Sequence, residues 1–193
     1  RICLVGSEMC IRDRLEATYE QNLLDRSQDI VLISQLYLQA EVPYPAARAM
    51  EKGLADDIVE KESKNYELAG VAWRQAQEVT KSLPMLEAAA SKSEKGELYA
   101  RLGNVYLDVD KNKEAVEALK RGLDRGGVKR PDQARLALGM AYFNLGDFNA
   151  ARRAFREARK DKRARSYADQ WLRYITSEAV SYTHLTLPTK CWV

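Results

Sequence analysis

Small and large apolar positions recur four times along the chain, at separations of 36, 33 and 36 residues. Each copy carries a small residue, an aromatic residue three positions later, a second small residue at twelve and a large apolar residue at sixteen. The small residues that begin the copies are Ser34, Gly70, Gly103 and Gly139, and the large residues are Met50, Leu86, Leu119 and Phe155. Such a fixed period predicts an architecture of stacked structural repeats.

The spacing within each copy predicts a pair of amphipathic helices. In the third copy, the positions i, i+3, i+4 and i+7 of one helix face are Tyr99, Leu102, Gly103 and Tyr106. Turn-forming residues such as those at 145–147 separate the two helices of a pair, and residues 126–131 separate two pairs. Because no convincing β-alternation occurs, the pattern predicts an all-α chain.

This pattern resembles the tetratricopeptide repeat (TPR), a helix-turn-helix unit of about 34 residues. The residues that carry the resemblance are Gly70, Trp73, Leu102, Gly103, Tyr106, Ala115, Leu138, Gly139, Tyr142, Ala151 and Phe155. The first two copies depart from it most, since Ser34 stands in place of glycine and Ala69 in place of leucine. The resemblance implies a right-handed α-α superhelix, a TPR-like solenoid of about four helix pairs with a C-terminal capping helix.

The repeat divides the chain into predicted segments. Residues 27–62 and 63–95 are TPR-like repeats, and residues 96–131 and 132–165 are TPR repeats. Residues 166–179 form an amphipathic helix that would cap the last apolar surface, because stacked repeats bury their faces only against neighbours. Residues 15–26 are interpreted as the remnant of an upstream helix, so we expect the stack to continue before them.

The two ends of the chain resemble translated sequencing-adapter DNA. Met9–Asp13 can be encoded by ATG TGT ATA AGA GAC, and the reverse complement of that string translates as Val180–His184. One DNA element read in opposite directions therefore accounts for both ends. We interpret residues 1–14 and 180–193 as adapter-derived, so their side chains carry no functional prediction.

Excluding the ends changes the chemistry that the composition allows. The whole chain of 193 residues has a formal charge of +3, three Cys and one His. Cys3, Cys10, Cys191 and His184 all lie in the ends, and residues 15–179 carry 27 basic and 26 acidic residues, for a net charge of +1. Because zinc sites, thiol nucleophiles and Ser-His-Asp triads need Cys or His, we expect no catalytic residue, metal or cofactor. The carboxylates are interpreted as solvated helix surface.

A run of basic residues near the end of the repeats suggests a second possible function. The basic run comprises Arg152, Arg153, Arg156, Arg159, Lys160, Lys162, Arg163 and Arg165. It can serve as an electrostatic patch for nucleic acid or an acidic partner, or simply as an exposed helix face. No aromatic residues are interleaved for base stacking, since the pattern assigns Phe155 to packing. Nucleic-acid binding is therefore the alternative function, and a partner protein is favoured.

The TPR resemblance implies a binding surface. In relatives the first helix of each pair lines a concave face that binds a peptide or partner protein, at positions that are here Gln35, Leu38, Val71, Arg74, Arg101, Asn104, Leu107, Met140 and Phe143. For Met140 and Phe143, packing between repeats is an equally good interpretation. Asn104 fits the clamp that holds a C-terminal carboxylate in some relatives, but Ala100, Gln133 and Ala137 stand where its other polar groups belong.

A non-catalytic interaction scaffold is thus the predicted function, with an interaction arm of a larger enzyme or assembly factor as a further possibility. The middle of the chain also resembles repeat proteins encoded beside bacterial TonB-type energy-transduction systems. That resemblance implies a partner in the cell envelope and a location in the periplasm or envelope rather than the cytoplasm.

Overall fold

The computed structural model describes residue 17 and residues 26–185. Over residues 26–185 the chain forms nine α-helices and no strand, which confirms the predicted all-α class. The helices are α1 (Ser27–Gln39), α2 (Pro43–Ala55), α3 (Ser63–Gln75), α4 (Val79–Lys92), α5 (Glu97–Asp108), α6 (Asn112–Arg125), α7 (Pro131–Asn144), α8 (Phe148–Ala158) and α9 (Arg165–Leu185). Within these described helices, none is long and apolar enough to cross a membrane.

The helices pair as the repeat pattern predicts: α1 with α2, α3 with α4, α5 with α6, and α7 with α8. Pro131 is the first residue of α7 and not the last of the preceding repeat. Proline suits this position because it has no N–H to donate and its φ is fixed near the helical value. The last helix, α9, begins at Arg165 and extends six residues beyond the predicted end of the capping helix. Residues 1–16, residues 18–25 of the predicted upstream helix, and residues 186–193 lie outside the described part of the chain.

Each pair is held by a close contact between its small residue and the large residue sixteen positions later. A Cβ atom added to Gly70 would lie 2.7 Å from Leu86, one at Gly103 would lie 2.5 Å from Leu119, and one at Gly139 would lie 2.6 Å from Phe155. These distances are too short for a methyl group, so the absence of a side chain permits the helices to approach. Ser34 occupies the same position in the first pair and is buried, with its hydroxyl donating to the Ile30 carbonyl at 2.7 Å.

The turn inside each pair repeats as closely as the helix contact. Seven positions after each small residue, the backbone has a positive φ of 58–77°, and the four residues are Glu41 (59°), Gln77 (63°), Asp110 (58°) and Gly146 (77°). The next N–H in each turn donates to the carbonyl of the repeat's aromatic residue, at 2.9–3.0 Å. This arrangement is the Schellman motif, which satisfies the last carbonyls of a helix.

The chain divides between Glu94 and Lys95 into two compact units. In the first unit, α1–α4 bury two apolar clusters. One contains Ile30, Met50 and Leu54, and the other contains Ile33 and Trp73. Trp73 is the repeat's aromatic residue, and Lys81 Nζ lies 4.6 Å from its ring centroid.

In the second unit, α9 covers the apolar side of the α7–α8 pair. Ala168 and Ile175 of α9 are fully buried against Phe155 and its neighbours. The ring of Trp171 stacks on that of Phe155, with centroids 5.4 Å apart and planes 6° apart. This packing is the capping role that the sequence predicts for the C-terminal helix.

The glycine contact predicts an energetic coupling between two residues. Gly139→Ala places a methyl group against Phe155, and we expect it to lower the free energy of unfolding by about 1–2 kcal/mol even though alanine is the better helix former. Phe155→Leu leaves room for that methyl group, so Gly139→Ala should cost less in the Phe155→Leu background by about 1 kcal/mol. Urea unfolding of the four proteins in the cycle measures both terms. Additive effects would contradict the proposed contact.

The repeated turn predicts opposite effects for two substitutions. Gln77→Gly removes a side chain from a left-handed conformation and should stabilise the chain by about 0.5 kcal/mol, because the relief of strain exceeds the added entropy of the unfolded state. Gly146→Ala at the equivalent position should destabilise it by about 1 kcal/mol. Thermal or urea unfolding measures both, and the same sign for the two variants would contradict the shared turn geometry.

Candidate functional site

A cavity of about 430 Å³ lies in the second unit, beside the first helices of its two pairs. We call it the α7 cavity because most of its walls come from α7. Its lining residues are Asn104, Arg130, Asp132, Gln133, Leu136, Ala137, Met140, Arg163 and Tyr167. Asn104 belongs to α5, Tyr167 belongs to α9, and Arg163 lies in the turn between α8 and α9.

Helical spacing explains why α7 contributes so many of these residues. Asp132, Leu136 and Met140 are four residues apart, and Gln133 and Ala137 form the neighbouring row. Pro131 fixes the start of the helix, so Asp132 lies in its first turn and Met140 two turns farther on. One face of α7 therefore carries an acid at its N-terminal end and apolar side chains farther toward its C-terminal end.

Leu136, Ala137 and Met140 give the cavity an apolar surface. Ala137 is buried, and Leu136 and Met140 are half-buried against the core of the second unit. Met140 is thus packed against the core and still partly accessible, and partner binding at this position stays a prediction. An unbranched thioether adapts readily to the shape of a ligand.

The charged groups of the cavity differ in their exposure. Asp132 is 3 % exposed, and its Oδ2 lies 3.4 Å from the Arg130 guanidinium. The Arg130 side chain is 50 % exposed. Arg163 is exposed too, and none of the carboxylates in the described residues lies within ion-pair distance of its guanidinium. Because the lining acid is buried and paired, the accessible charge at the cavity is cationic.

The remaining residues predicted for the binding face have different surroundings. In the second unit, Leu107 packs beside Met140 against the core, and Arg101 pairs with Glu97 at 3.3 Å. The other oxygen of Glu97 accepts the Lys129 backbone N–H at 2.8 Å, which ties the loop before α7 to α5. Arg101 therefore belongs to a structural ion pair, whereas Asn104 and Met140 meet in the α7 cavity.

Phe143, one turn beyond Met140, lies in an aromatic cluster. Its ring centroid is 5.5 Å from that of Phe148, 5.3 Å from that of Trp171 and 5.5 Å from that of Tyr174. These contacts are edge or tilted contacts typical of aromatic packing. Phe143 thus packs against Trp171 and Tyr174 of α9, as expected if this position serves packing.

The other four predicted positions lie in the first unit. Gln35 and Arg74 are exposed, Val71 is half-buried, and Leu38 packs against the cluster that contains Ile33, Tyr37 and Trp73.

Several cavity residues were not predicted as binding residues. Arg130, Asp132, Leu136 and Tyr167 were missed, Gln133 was considered only for a carboxylate clamp, and Arg163 only within the basic run. Extending the stripe of Met140 backwards by one and two helical turns would have found Leu136 and Asp132. No sequence signal places Arg163 and Tyr167 beside α7, since that placement depends on how α9 packs.

The structure distributes the basic run over several surfaces. Arg153 and Arg156 are exposed on α8, and Arg163 lines the α7 cavity. Arg159 pairs with Asp169 at 2.7 Å beside a hollow of about 840 Å³ that Leu172, Arg173 and Thr176 also line. A hydrogen bond of 2.7 Å from Lys160 to the Glu157 carboxylate lowers the pKa of that carboxyl below its usual value. Two of the eight cations are therefore ion-paired with carboxylates in the described part of the chain, and Arg165 Nε donates to the Arg159 carbonyl at 3.5 Å.

The described residues hold no group of three His, Cys, Asp or Glu side chains that could bind a metal ion. The polar groups of the α7 cavity are instead guanidinium, amide and phenol groups and one buried carboxylate, which bind by hydrogen bonds and charge.

Solved structures share this fold. The structure named "Crystal structure of YrrB: a TPR protein with an unusual peptide-binding site" has 19% sequence identity and a TM-score of 0.67, with 85% of this chain and 82% of that chain covered. MamA from Desulfovibrio magneticus has 16% identity and a TM-score of 0.67, with 83% of this chain and 89% of that chain covered. Another MamA crystal structure has 18% identity and a TM-score of 0.66, with 84% of this chain and 90% of that chain covered. The TPR fold predicted from the repeat is thereby confirmed.

No curated protein sequence matches the chain. The family description and these structures do not name a TonB-type system, so they give no support to that expectation. A family model described as "Domain of unknown function (DUF8586)" matches residues 11–186. The chain is therefore a member of the DUF8586 family, built from tetratricopeptide-type helix pairs.

Proposed function

We propose that this chain is a non-catalytic interaction module that binds a segment of a partner protein in the α7 cavity. The observation that carries the proposal is the cavity itself, which combines an apolar surface and two amides on the first helices of neighbouring pairs with two cations from the loop before α7 and the turn before α9. Apolar anchors supply affinity at such sites, and a few polar groups fix the orientation of the ligand. A volume of about 430 Å³ suits one or two side chains of a bound segment.

The proposed occupant is a peptide segment in an extended or helical conformation. Asn104 and Gln133 are exposed amides that can each donate to a backbone carbonyl and accept from a backbone N–H. One structure of similar fold is named as a TPR protein with an unusual peptide-binding site, which supports peptide binding as a use of this architecture. The non-catalytic role agrees with the absence of Cys and His from residues 15–179.

The alternative function uses the basic run as a nucleic-acid interface. Arg153 and Arg156 are exposed on α8, and this observation favours an electrostatic surface there. Against it, the run is divided between α8, the following turn and the α7 cavity, and two of its cations are paired. Location in the periplasm or cell envelope remains a prediction that the identity of the partner will test.

The α7 cavity can be tested with a substitution that changes its apolar surface. Peptides selected from a random library on the immobilised chain would be labelled and titrated by fluorescence anisotropy. Met140→Glu should weaken their binding by about tenfold or more, because it places a charge on the surface that holds the apolar anchor. Asn104→Ala should weaken it less and provides a variant at an exposed position that leaves the core intact.

Leu145→Glu is the matched control, since Leu145 is exposed in the turn after α7 and does not line the cavity. It should bind the selected peptides as the unmodified chain does. Helical circular dichroism and unfolding curves would establish that each variant is folded. Equal binding by Met140→Glu and Leu145→Glu would contradict the proposed site.

The salt dependence of RNA binding tests the alternative function. If the α7 cavity is the functional site, labelled single-stranded RNA should bind the chain weakly at low salt and lose that binding near physiological salt, because only charge would drive it. If RNA binding instead persists at about 0.15 M salt and is abolished by Arg153→Glu with Arg156→Glu, the basic run is the functional surface.

A further inference from the structure

We infer that the segment bound in the α7 cavity carries an Asp or Glu side chain next to an aliphatic one. Its carboxylate would pair with the guanidinium groups of Arg130 and Arg163, and its aliphatic neighbour would pack on Leu136 and Met140. The inference rests on the proposed function and adds the chemical class of the partner.

The accessible charge at the cavity determines which side chains it attracts. Both guanidinium groups that line the cavity belong to exposed side chains, whereas Asp132 is the acid among the lining residues and is buried. A segment that enters this cavity therefore meets accessible positive charge. An acidic side chain is attracted there, and a lysine or arginine side chain is repelled.

Arg130 is held in place without losing its capacity to bind. One of its terminal nitrogens lies 3.4 Å from Asp132 Oδ2, and Asp132 is fixed in the first turn of α7. A guanidinium has five N–H donors, so the contact with Asp132 leaves others for a ligand. The buried carboxylate thus positions the guanidinium at the cavity rather than neutralising the whole site.

Arg163 lies on a turn that is also fixed. Its backbone N–H donates to Asp161 Oδ1 at 2.9 Å, and the next residue, Ala164, is fully buried in the core of the second unit. The turn therefore presents the Arg163 side chain from a defined point. Guanidinium groups are suited to planar, two-point recognition of carboxylates.

The neighbouring surface indicates a side-chain carboxylate rather than the end of a chain. A clamp for a C-terminal carboxylate would need further polar groups, cations among them, at the positions of Ala100, Gln133 and Ala137, but two of these are buried alanines and the third is an uncharged amide. The apolar residues Leu136 and Met140 lie in the same cavity as the two cations. This combination favours an internal pair of one acidic and one aliphatic residue.

The test uses short peptides that are acetylated and amidated, so that side chains supply their carboxylates. Peptides selected on the intact chain at about 0.15 M salt should be enriched in Asp or Glu beside Leu, Ile, Val or Met. Replacing the acid by its amide, Glu→Gln, should weaken binding by about tenfold. Arg163→Glu should cause a similar loss, and Arg163→Lys a smaller one.

A charge exchange distinguishes recognition from a structural effect. Arg163→Glu should bind the Glu→Lys version of a selected peptide more tightly than the unmodified chain does, because the sign of the pair is restored. Arg156→Glu is the matched control, since it removes the same charge from an exposed position on α8 outside the cavity. It should leave peptide binding unchanged.

The outcomes separate this inference from the proposed function. If selected peptides bind, lose binding with Met140→Glu, and yet are insensitive to Glu→Gln and to Arg163→Glu, the acidic preference is wrong and the cavity remains the site. If Met140→Glu has no effect, or no peptide binds, both are overturned. Displacement of a bound peptide by single-stranded RNA at the same salt, with loss on Arg163→Glu, would assign the cavity to nucleic acid and overturn the inference.

Discussion

The close approach of two helices at a residue without a large side chain is the constraint on which this structure depends. Gly70, Gly103 and Gly139 leave room for Leu86, Leu119 and Phe155, and a single added carbon would lie within 2.5–2.7 Å of the partner side chain. Fixing this contact fixes the separation and rotation of the two helices. The turn that joins them is then required to reverse the chain in few residues, and it does so each time with a left-handed residue.

The same constraint leaves other faces of the first helices accessible. Gly103 and Gly139 pack against the second helix of their pair, and the next residues along, Asn104 and Met140, are about 100° farther round the helix and line the α7 cavity. Repeats of this kind keep a few positions for the scaffold and leave their neighbours to vary. The α7 cavity is formed from such neighbouring positions together with the loop before α7 and the turn before α9.

Much of this fold could be predicted from the sequence because its contacts are local. The small residue and its partner are sixteen positions apart, so the period of the sequence contains the packing contact of Gly139 with Phe155. The shared turn was harder to predict, since only Gly146 is the residue most expected at a positive φ, while Asp110 adopts it occasionally and Glu41 and Gln77 adopt it against their own preference.

The candidate site was only partly predictable, because it depends on contacts between distant segments. Asn104 and Met140 follow from the repeat pattern, but Arg163 and Tyr167 reach the cavity only through the packing of α9. The same packing gives Phe143 its aromatic partners Trp171 and Tyr174. A linear run of cations likewise does not reveal that Arg159 is paired with Asp169 while Arg163 lines a cavity.

The most direct measurement of the central claim, that a peptide binds in the α7 cavity, is a methyl NMR titration of the chain, labelled at its methionines, with a selected peptide. We expect the Met140 methyl signal to shift saturably while that of the fully buried Met50 does not. Binding of the peptide with no change at Met140 would contradict the proposed site.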